Sequence, residues 1–270
     1  MILRHTKQSG MTFIEVLIGM AIGVIVIGGA ITIYTSSVRG GNEMLLAGKL
    51  NQEVGALMHV MMNDIRRAGY WADMITGAAD ENPFNQAGAT TLVVRDDMTS
   101  NVLQGPTGQG SCLTYAYDAT YLPGNIAGTI ENADLFGFRL NGTMVQMRQT
   151  GTVDGADCVG GTCSSCANGI WLDVTDPDII EITQLTFDLS NSQCLNSSEP
   201  NDEDDNADGT IDEAAEQDCY VTIPPVGSGE VTMETIEVTI TINARLASDP
   251  QTQVWATNST RARNSVLRTR

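Results

Sequence analysis

Residues Gly10 to Tyr34 read GMTFIEVLIGMAIGVIVIGGAITIY, and this stretch decides how the rest of the chain folds. Its apolar run, Val16 to Tyr34, is 19 residues long. At about 1.5 Å per residue a helix of that length spans roughly the 30 Å hydrocarbon core of a bilayer. The sequence therefore predicts one membrane-crossing helix at residues 11–34, with the remainder of the chain on one side. A single carboxylate, Glu15, stands one residue before the run. An ionised group at membrane depth costs on the order of 2 to 3 kcal/mol or more unless it is paired, so Glu15 calls for a partner.

Arg4, His5 and Lys7 precede it in a short basic leader, residues 1–10, that ends at Gly10. Cleavage after Gly10 sets the new amino group of Met11 four residues from Glu15. The order of basic leader, Gly10, Met11, Thr12, Phe13, Ile14, Glu15 and a long apolar helix resembles the signal of type IV prepilins and type II secretion pseudopilins. An ordinary secretory signal or plain anchor does not place an acid at the head of its apolar run. The resemblance implies that a prepilin peptidase cuts after Gly10 and methylates Met11, and that Glu15 pairs with the N-terminus of a neighbouring subunit.

The chain has 270 residues, enough for one sizeable core beyond the anchor. The leader holds two of its 14 Lys and Arg residues and none of its 33 acidic ones, so the mature chain sets 12 positive charges against 33 negative, a net of −21. Direct binding of nucleic acid is excluded by that balance. Five of the twelve positive charges, Arg245, Arg261, Arg263, Arg268 and Arg270, fall in the last 26 residues, as a basic tail for an acidic neighbour or as charge on an exposed strand edge.

Beyond Tyr34 the helix continues, with Gly40-Gly41 as a weak point. Leu46, Leu50, Val54, Leu57, Met61, Ile65 and Ala68 recur at steps of three and four, one face of an amphipathic helix over residues 35–71. A helix from Met11 to about Ala68 is roughly 85 Å long. Major pilins carry a kinking proline late in the anchor; here Thr32 follows Gly28-Gly29 instead. Asn63 to Trp71, NDIRRAGYW, ends the helix at Gly69, with Arg66 and Arg67 at its negative end or in an intersubunit contact. This wording, together with Arg263-Asn264 near the chain end, resembles the PilW branch of the minor pilins, whose relatives are the J-type pseudopilins.

From residue 72 to 270 the expected body is a β-rich globular domain. Period-two patterning predicts strands at 91–95, 112–117, 136–140, 143–148, 169–174, 179–189, 231–246 and an edge strand within 251–264, with a hairpin turn at Asn141-Gly142. In the long run, Ile236, Val238, Ile240 and Ile242 alternate with Thr235, Glu237, Thr239 and Thr241, and the apolar face is expected to cover the helix. The fold class is α+β and pilin-like, a long N-terminal helix packed on an antiparallel sheet.

Asp204-Asp205-Asn206-Ala207-Asp208-Gly209-Thr210-Ile211-Asp212 sets oxygen ligands at the first, third, fifth and ninth places, glycine sixth and the Thr210 carbonyl seventh, the spacing of an EF-hand-type calcium loop. Ala215 replaces the glutamate of the twelfth place, so Glu213 or Glu216 must reach in; the alternative is a solvated acidic turn. Asp204, Asn206, Asp208, Thr210 and Asp212 are thus candidate Ca²⁺ ligands. Six cysteines, Cys112, Cys158, Cys163, Cys166, Cys194 and Cys219, form an even set in a domain expected outside the cytoplasm and read as disulfides. Joining Cys194 to Cys219 closes 25 residues around the acidic loop, worth roughly 3 kcal/mol. The other four leave their pairing open, Cys163 with Cys166 being the strained choice; zinc on Cys163-x-x-Cys166 lacks a second pair.

The one histidine of the mature chain, His59, sits on the packing helix, which leaves no Ser-His-Asp or Cys-His set, and no enzyme is expected. The resemblance implies a minor pilin that resides in the inner membrane and then in an extracellular type IV pilus. Its implied partners are the prepilin peptidase, inner-membrane lipid, other minor pilins, the major pilin and a tip adhesin, in a complex that primes assembly. A J-type pseudopilin of type II secretion and a membrane-anchored calcium-binding adhesion module are the alternatives.

Overall fold

The computed structural model describes residues 10–72, 82–85, 90–119, 130–151 and 165–270. Helix α1 runs unbroken from Phe13 to Ile65 and passes through both compact units of the chain, the first ending at Lys49 and the second comprising Leu50–Arg270.

In the first unit α1 buries no residue, and its stretch over residues 16–34 is apolar on all sides. This helix is long and apolar enough to cross a membrane. Gly28-Gly29 and Gly40-Gly41 lie within it without interrupting it. The hydroxyls here are satisfied locally: Thr32 Oγ1 donates to the Gly28 carbonyl at 2.9 Å, and Thr35 Oγ1 to those of Ile31 and Thr32, both at 3.0 Å. Such back-bonding lets a hydroxyl sit in an apolar helix with no outside partner.

In the second unit α1 buries Leu50, Val54, Leu57, Met58, Met61 and Ile65, followed by Ala68. From Leu50 onward this is the expected stripe with Met58 added, since position 58 lies four residues after Val54 and three before Met61; Leu46, its expected first member, is only half-buried and belongs to the first unit. His59 is exposed. The helix packs on antiparallel sheets, as the α+β reading expected. A groove of about 320 Å³ runs between Val54, Leu57 and Val60 on α1 and Val174, Ile179 and Ile182.

Among the described residues the second unit holds three sheets with every pairing antiparallel. The first is ordered β1 (Val93–Arg95), β3 (Cys112–Ala116), β4 (Leu135–Asn141), β5 (Met144–Thr150), β6 (Ile170–Asp173). The second is β11 (Gln253–Arg261), β10 (Glu237–Leu246), β7 (Ile180–Asp188), β2 (Gln109–Gly110), and the third is β12 (Val266–Thr269), β9 (Val231–Thr235), β8 (Gln193–Asn196). The β4–β5 turn uses Gly142, at φ +60°, with Thr143, so Asn141 closes β4 and the turn lies one residue later than expected.

The predicted strand at 231–246 is two strands in two sheets. Alternation stays in phase across the break, with Thr232, Glu234, Ile236, Val238 and Ile240 all buried, so the pattern carries no mark of it. At the break the Ile236 carbonyl accepts the Ala262 amide at 3.0 Å, after which β9 pairs with β8 and β12 while β10 pairs with β7 and β11. Strands β2, β8 and β12 were not legible, being two to four residues long.

Candidate functional site

The helix end explains the NDIRRAGYW and Arg263-Asn264 wording. Gly69 adopts φ +72°, and a Cβ there would stand 2.1 Å from Asn85 Oδ1, so only glycine fits the stop. Carbonyls in the last turn of α1 and in the turn that follows it receive side chains and backbone from distant sequence. Thr260 Oγ1 donates to Met62 O at 3.4 Å, the Arg263 amide to Arg66 O at 3.2 Å, Asn264 Nδ2 to Ala68 O at 3.0 Å and Asn82 Nδ2 to Gly69 O at 2.9 Å. Arg66 Nε donates to Thr260 Oγ1 at 3.0 Å, and the Arg67 guanidinium lies 4.1 Å from the Tyr117 ring centre and 3.6 Å from Asp64. Both arginines thus have partners within the subunit. Asp64 accepts the hydroxyls of Tyr115 at 2.5 Å and Tyr117 at 3.0 Å; burial first, and the Asp64 charge second, hold both phenols above their ordinary range, so they remain donors.

At the other end of α1, Gly10 and Met11 are exposed and precede the first turn. The Glu15 amide donates to Thr12 Oγ1 at 3.4 Å, and Glu15 Oε2 accepts both the Thr12 amide and its hydroxyl at 3.1 Å. Thr12-Phe13-Ile14-Glu15 is a capping box, in which Thr12 and Glu15 satisfy two helix-terminal amides reciprocally. Glu15 therefore has a local partner, which the T-x-x-E spacing could have indicated.

The acidic loop lies wholly in the second unit. From Glu199 through Asp218 the chain has ten acidic residues and no Lys, Arg or His. What folds them is backbone donation to carboxylates. Asp204 accepts the Asp208 amide at 3.1 Å and the Gly209 amide at 2.8 Å; Asn206 Oδ1 accepts Asp208 at 2.9 Å, and Asp208 accepts Thr210 at 2.8 Å. Asp204, Asn206 and Asp208 therefore share one turn, with Gly209 at φ +94°. Asp212 Oδ1 faces the amides of Asn201 and Asp202, at 2.8 and 3.1 Å.

Of the two residues offered for the twelfth place, Glu216 is buried on the short helix α2 (Ala214–Gln217), and its carboxylate is engaged by backbone: Oε1 accepts Asp205 at 2.6 Å and Asn206 at 3.3 Å, and Oε2 accepts Asp212 at 2.8 Å. Glu213 instead accepts Asn206 Nδ2 through Oε1 and keeps Oε2 buried with no hydrogen-bond partner. A second grouping escaped the sequence. Oxygens of Glu199, Asp205 and Glu230 lie within 4.8 Å of one another, joined through Asn201 Nδ2, which donates to Glu199 at 2.9 Å and Asp205 at 3.1 Å, and Asn196 Nδ2, which donates to Glu230 at 2.6 Å. Loss of hydration first, then Asp205 beside it, pushes the Glu199 carboxyl up to about 7. Glu230 enters from the foot of β9, too far along the chain to be part of any motif.

Cys194–Cys219 brackets the loop as expected, with Cα atoms 5.1 Å apart. Cys112 pairs with Cys166 across 6.3 Å, which removes Cys163–Cys166 and the zinc alternative built on Cys166. Cys158, Cys163 and residues 1–9 of the leader lie outside the described residues.

Among known families, residues 5–31 match the prokaryotic N-terminal methylation motif, and residues 43–262 match the family described as prepilin peptidase-dependent protein B. No curated protein and no solved structure matches the chain. With a signal for methylation at the head of α1 and a second match that spans nearly all of the described β-sheet unit, the chain belongs to the prepilin peptidase-dependent protein B family, a pilin-like group.

Proposed function

We propose that this chain is a minor pilin of the PilW type, a non-enzymatic structural subunit that helps prime a type IV pilus, at its tip, with other minor pilins, the major pilin and an adhesin as partners. The observation that carries the reading is the single helix α1, whose exposed apolar half is headed by Gly10, Met11 and the Thr12–Glu15 cap and whose other half is built into a disulfide-tied β-sheet unit. Before assembly the apolar half holds the protein in the inner membrane; afterwards it packs against equivalent helices, where Glu15 exchanges its Thr12 contacts for the methylated N-terminus of Met11 on a neighbour. The test is mass spectrometry of the mature protein together with its co-purified partners. N-methyl-Met11 as the first residue, lost in Gly10→Ala, and recovery with pilus subunits are expected. A mature terminus near Gly29-Ala30, as a general signal peptidase would leave, overturns the reading. Recovery with a secretion apparatus instead of pilus subunits assigns the chain to the J-type pseudopilins.

The same reading includes Ca²⁺ on the Asp204–Asp212 loop. In this reading Asp204, Asn206, Asp208, the Thr210 carbonyl and Asp212 supply the ligands at the first, third, fifth, seventh and ninth places, and Glu213, whose Oε1 accepts Asn206 Nδ2 and whose buried Oε2 has no hydrogen-bond partner, is the residue we assign to complete the set. Bound there, a divalent cation offsets the mutual repulsion of a loop that lacks any counter-charge of its own.

A further inference from the structure

Of the three tryptophans, Trp71 is buried and Trp171 lies half-buried under the Arg139 guanidinium, 4.3 Å from its ring centre, while Trp255 on β11 remains 62% exposed. It stands on the outward face of the four-stranded sheet. Strand register aligns Trp255 with Asn243 and Gln184, and beside that row Thr257 with Thr241 and Thr186. Trp255 Nε1 donates to Thr257 Oγ1 at 3.1 Å, and Thr257 shares a 3.2 Å hydrogen bond with Thr241, so the indole is oriented along its strand and its hydrogen-bonding edge is already satisfied. From Trp255 a shallow trough of about 460 Å³ crosses β10 and β7 to β2.

The charges on this face are at its margins. Arg245 is neutralised by Glu181 at 2.6 Å at one end, and Asp188, Asp96 and the cross-strand pair Glu237 and Arg261 lie at the other. Between them the two rows contain amides, hydroxyls and one indole. In a mature chain of net −21 this is an uncharged platform, which favours neither an anion, repelled by the whole molecule, nor a cation, for which the acidic loop offers far more. An extended apolar partner surface finds only one apolar side chain there. The open indole stands at the rim of this shallow trough, and stacking on its exposed face removes apolar area from water. The complementary ligand carries an apolar patch the size of one ring, bordered by hydroxyls that both donate and accept. That is the chemistry of a pyranose.

We propose that the outward face of the β11–β10–β7–β2 sheet binds a neutral oligosaccharide, Trp255 stacking on the apolar face of one sugar ring while Asn243, Gln184 and Thr241 hydrogen-bond its hydroxyls. The site is independent of the pilin reading, which stands or falls on processing and partners alone.

The experiment uses the full-length protein in zwitterionic micelles, since glycosidic detergents would compete, titrated with cellopentaose, chitopentaose and maltopentaose by tryptophan fluorescence and calorimetry. Saturable binding of at least one is expected. Trp255→Ala should weaken it by about tenfold or more, the order of effect seen when one stacking aromatic is removed from a nucleobase site, with the melting temperature unchanged. Trp255→Phe should retain part of the affinity, and Thr241→Val should lose a smaller part, again without a change in melting. Absence of saturable binding to all three, or equal binding by Trp255→Ala, overturns the proposal. So does self-association in sedimentation that Trp255→Ala abolishes, which would make this face a contact between protein subunits.

Discussion

The two halves of α1 are one helix under two sets of rules. Before Lys49 its apolar residues point all round and none is buried; from Leu50 onward the buried ones narrow to one stripe. Backbone and hydroxyl groups of the first half are satisfied inside the helix itself, as at Thr32 and Thr35, whereas the second half ends on carbonyls capped by Thr260, Arg263, Asn264 and Asn82. A helix meant for lipid must be self-sufficient, because lipid offers no hydrogen bonds. One meant for a protein core leaves its end to be completed by whatever the fold brings there.

The largest test of that contrast is a matched pair of truncations. Met61 is fully buried, so Met61→Ala should destabilise the second unit by about 2 to 5 kcal/mol, whereas Ile25→Ala, at a 74% exposed position, should leave thermal melting in micelles unchanged. Equal melting of the two variants would show that the stripe does not hold the helix to the sheets.

The acidic loop shows tertiary structure holding together what sequence would separate. A Ca²⁺ site of roughly 0.1 mM affinity should add about 1.5 to 2 kcal/mol of stability in a few millimolar calcium. Melting the protein with calcium and with chelator reads that difference directly, and Asp208→Ala should abolish it while barely moving the chelated melt. No difference in the wild type, and no heat on titration, would leave the loop a solvated acidic turn.

Asn264→Ala strips one carbonyl cap and should lower stability by about 1 kcal/mol, because the carbonyl of buried Ala68 then loses its donor. Its counterpart Thr32→Ala removes a bond made within the helix and should change melting less.

The smallest effect is a pH slope. Glu199 has its carboxyl pushed up to about 7 from an ordinary 4.5, so the folded state binds a proton that the unfolded chain has released, and chelated protein should lose stability as pH rises from about 4.5 to about 7. Glu199→Gln should flatten this slope and raise stability at pH 7.5. A wild-type melting curve independent of pH in that window would remove the crowding at Glu199, Asp205 and Glu230.

The anchor, the Leu50–Ile65 stripe, the Gly69 stop, most strands and the Cys194–Cys219 bridge were legible because each is written in local spacing: an uninterrupted apolar run, steps of three and four, alternation, a glycine after the last turn, two cysteines around one excursion. Thr12–Glu15 belongs with them, since a capping box is a four-residue signal. The division of residues 231–246 between two sheets was not legible, because alternation continues in phase through Ile236 and only the pairing partners change. Nor were the Cys112–Cys166 bridge, the meeting of Glu230 with Glu199 and Asp205, the capping of α1 by residues almost 200 positions away, or the alignment of Trp255 with Asn243 and Gln184. Periodicity reports which face of an element is wet or dry. Which element lies opposite, and in what register, depends on closing long stretches of chain at once, so it is decided only by the packed structure.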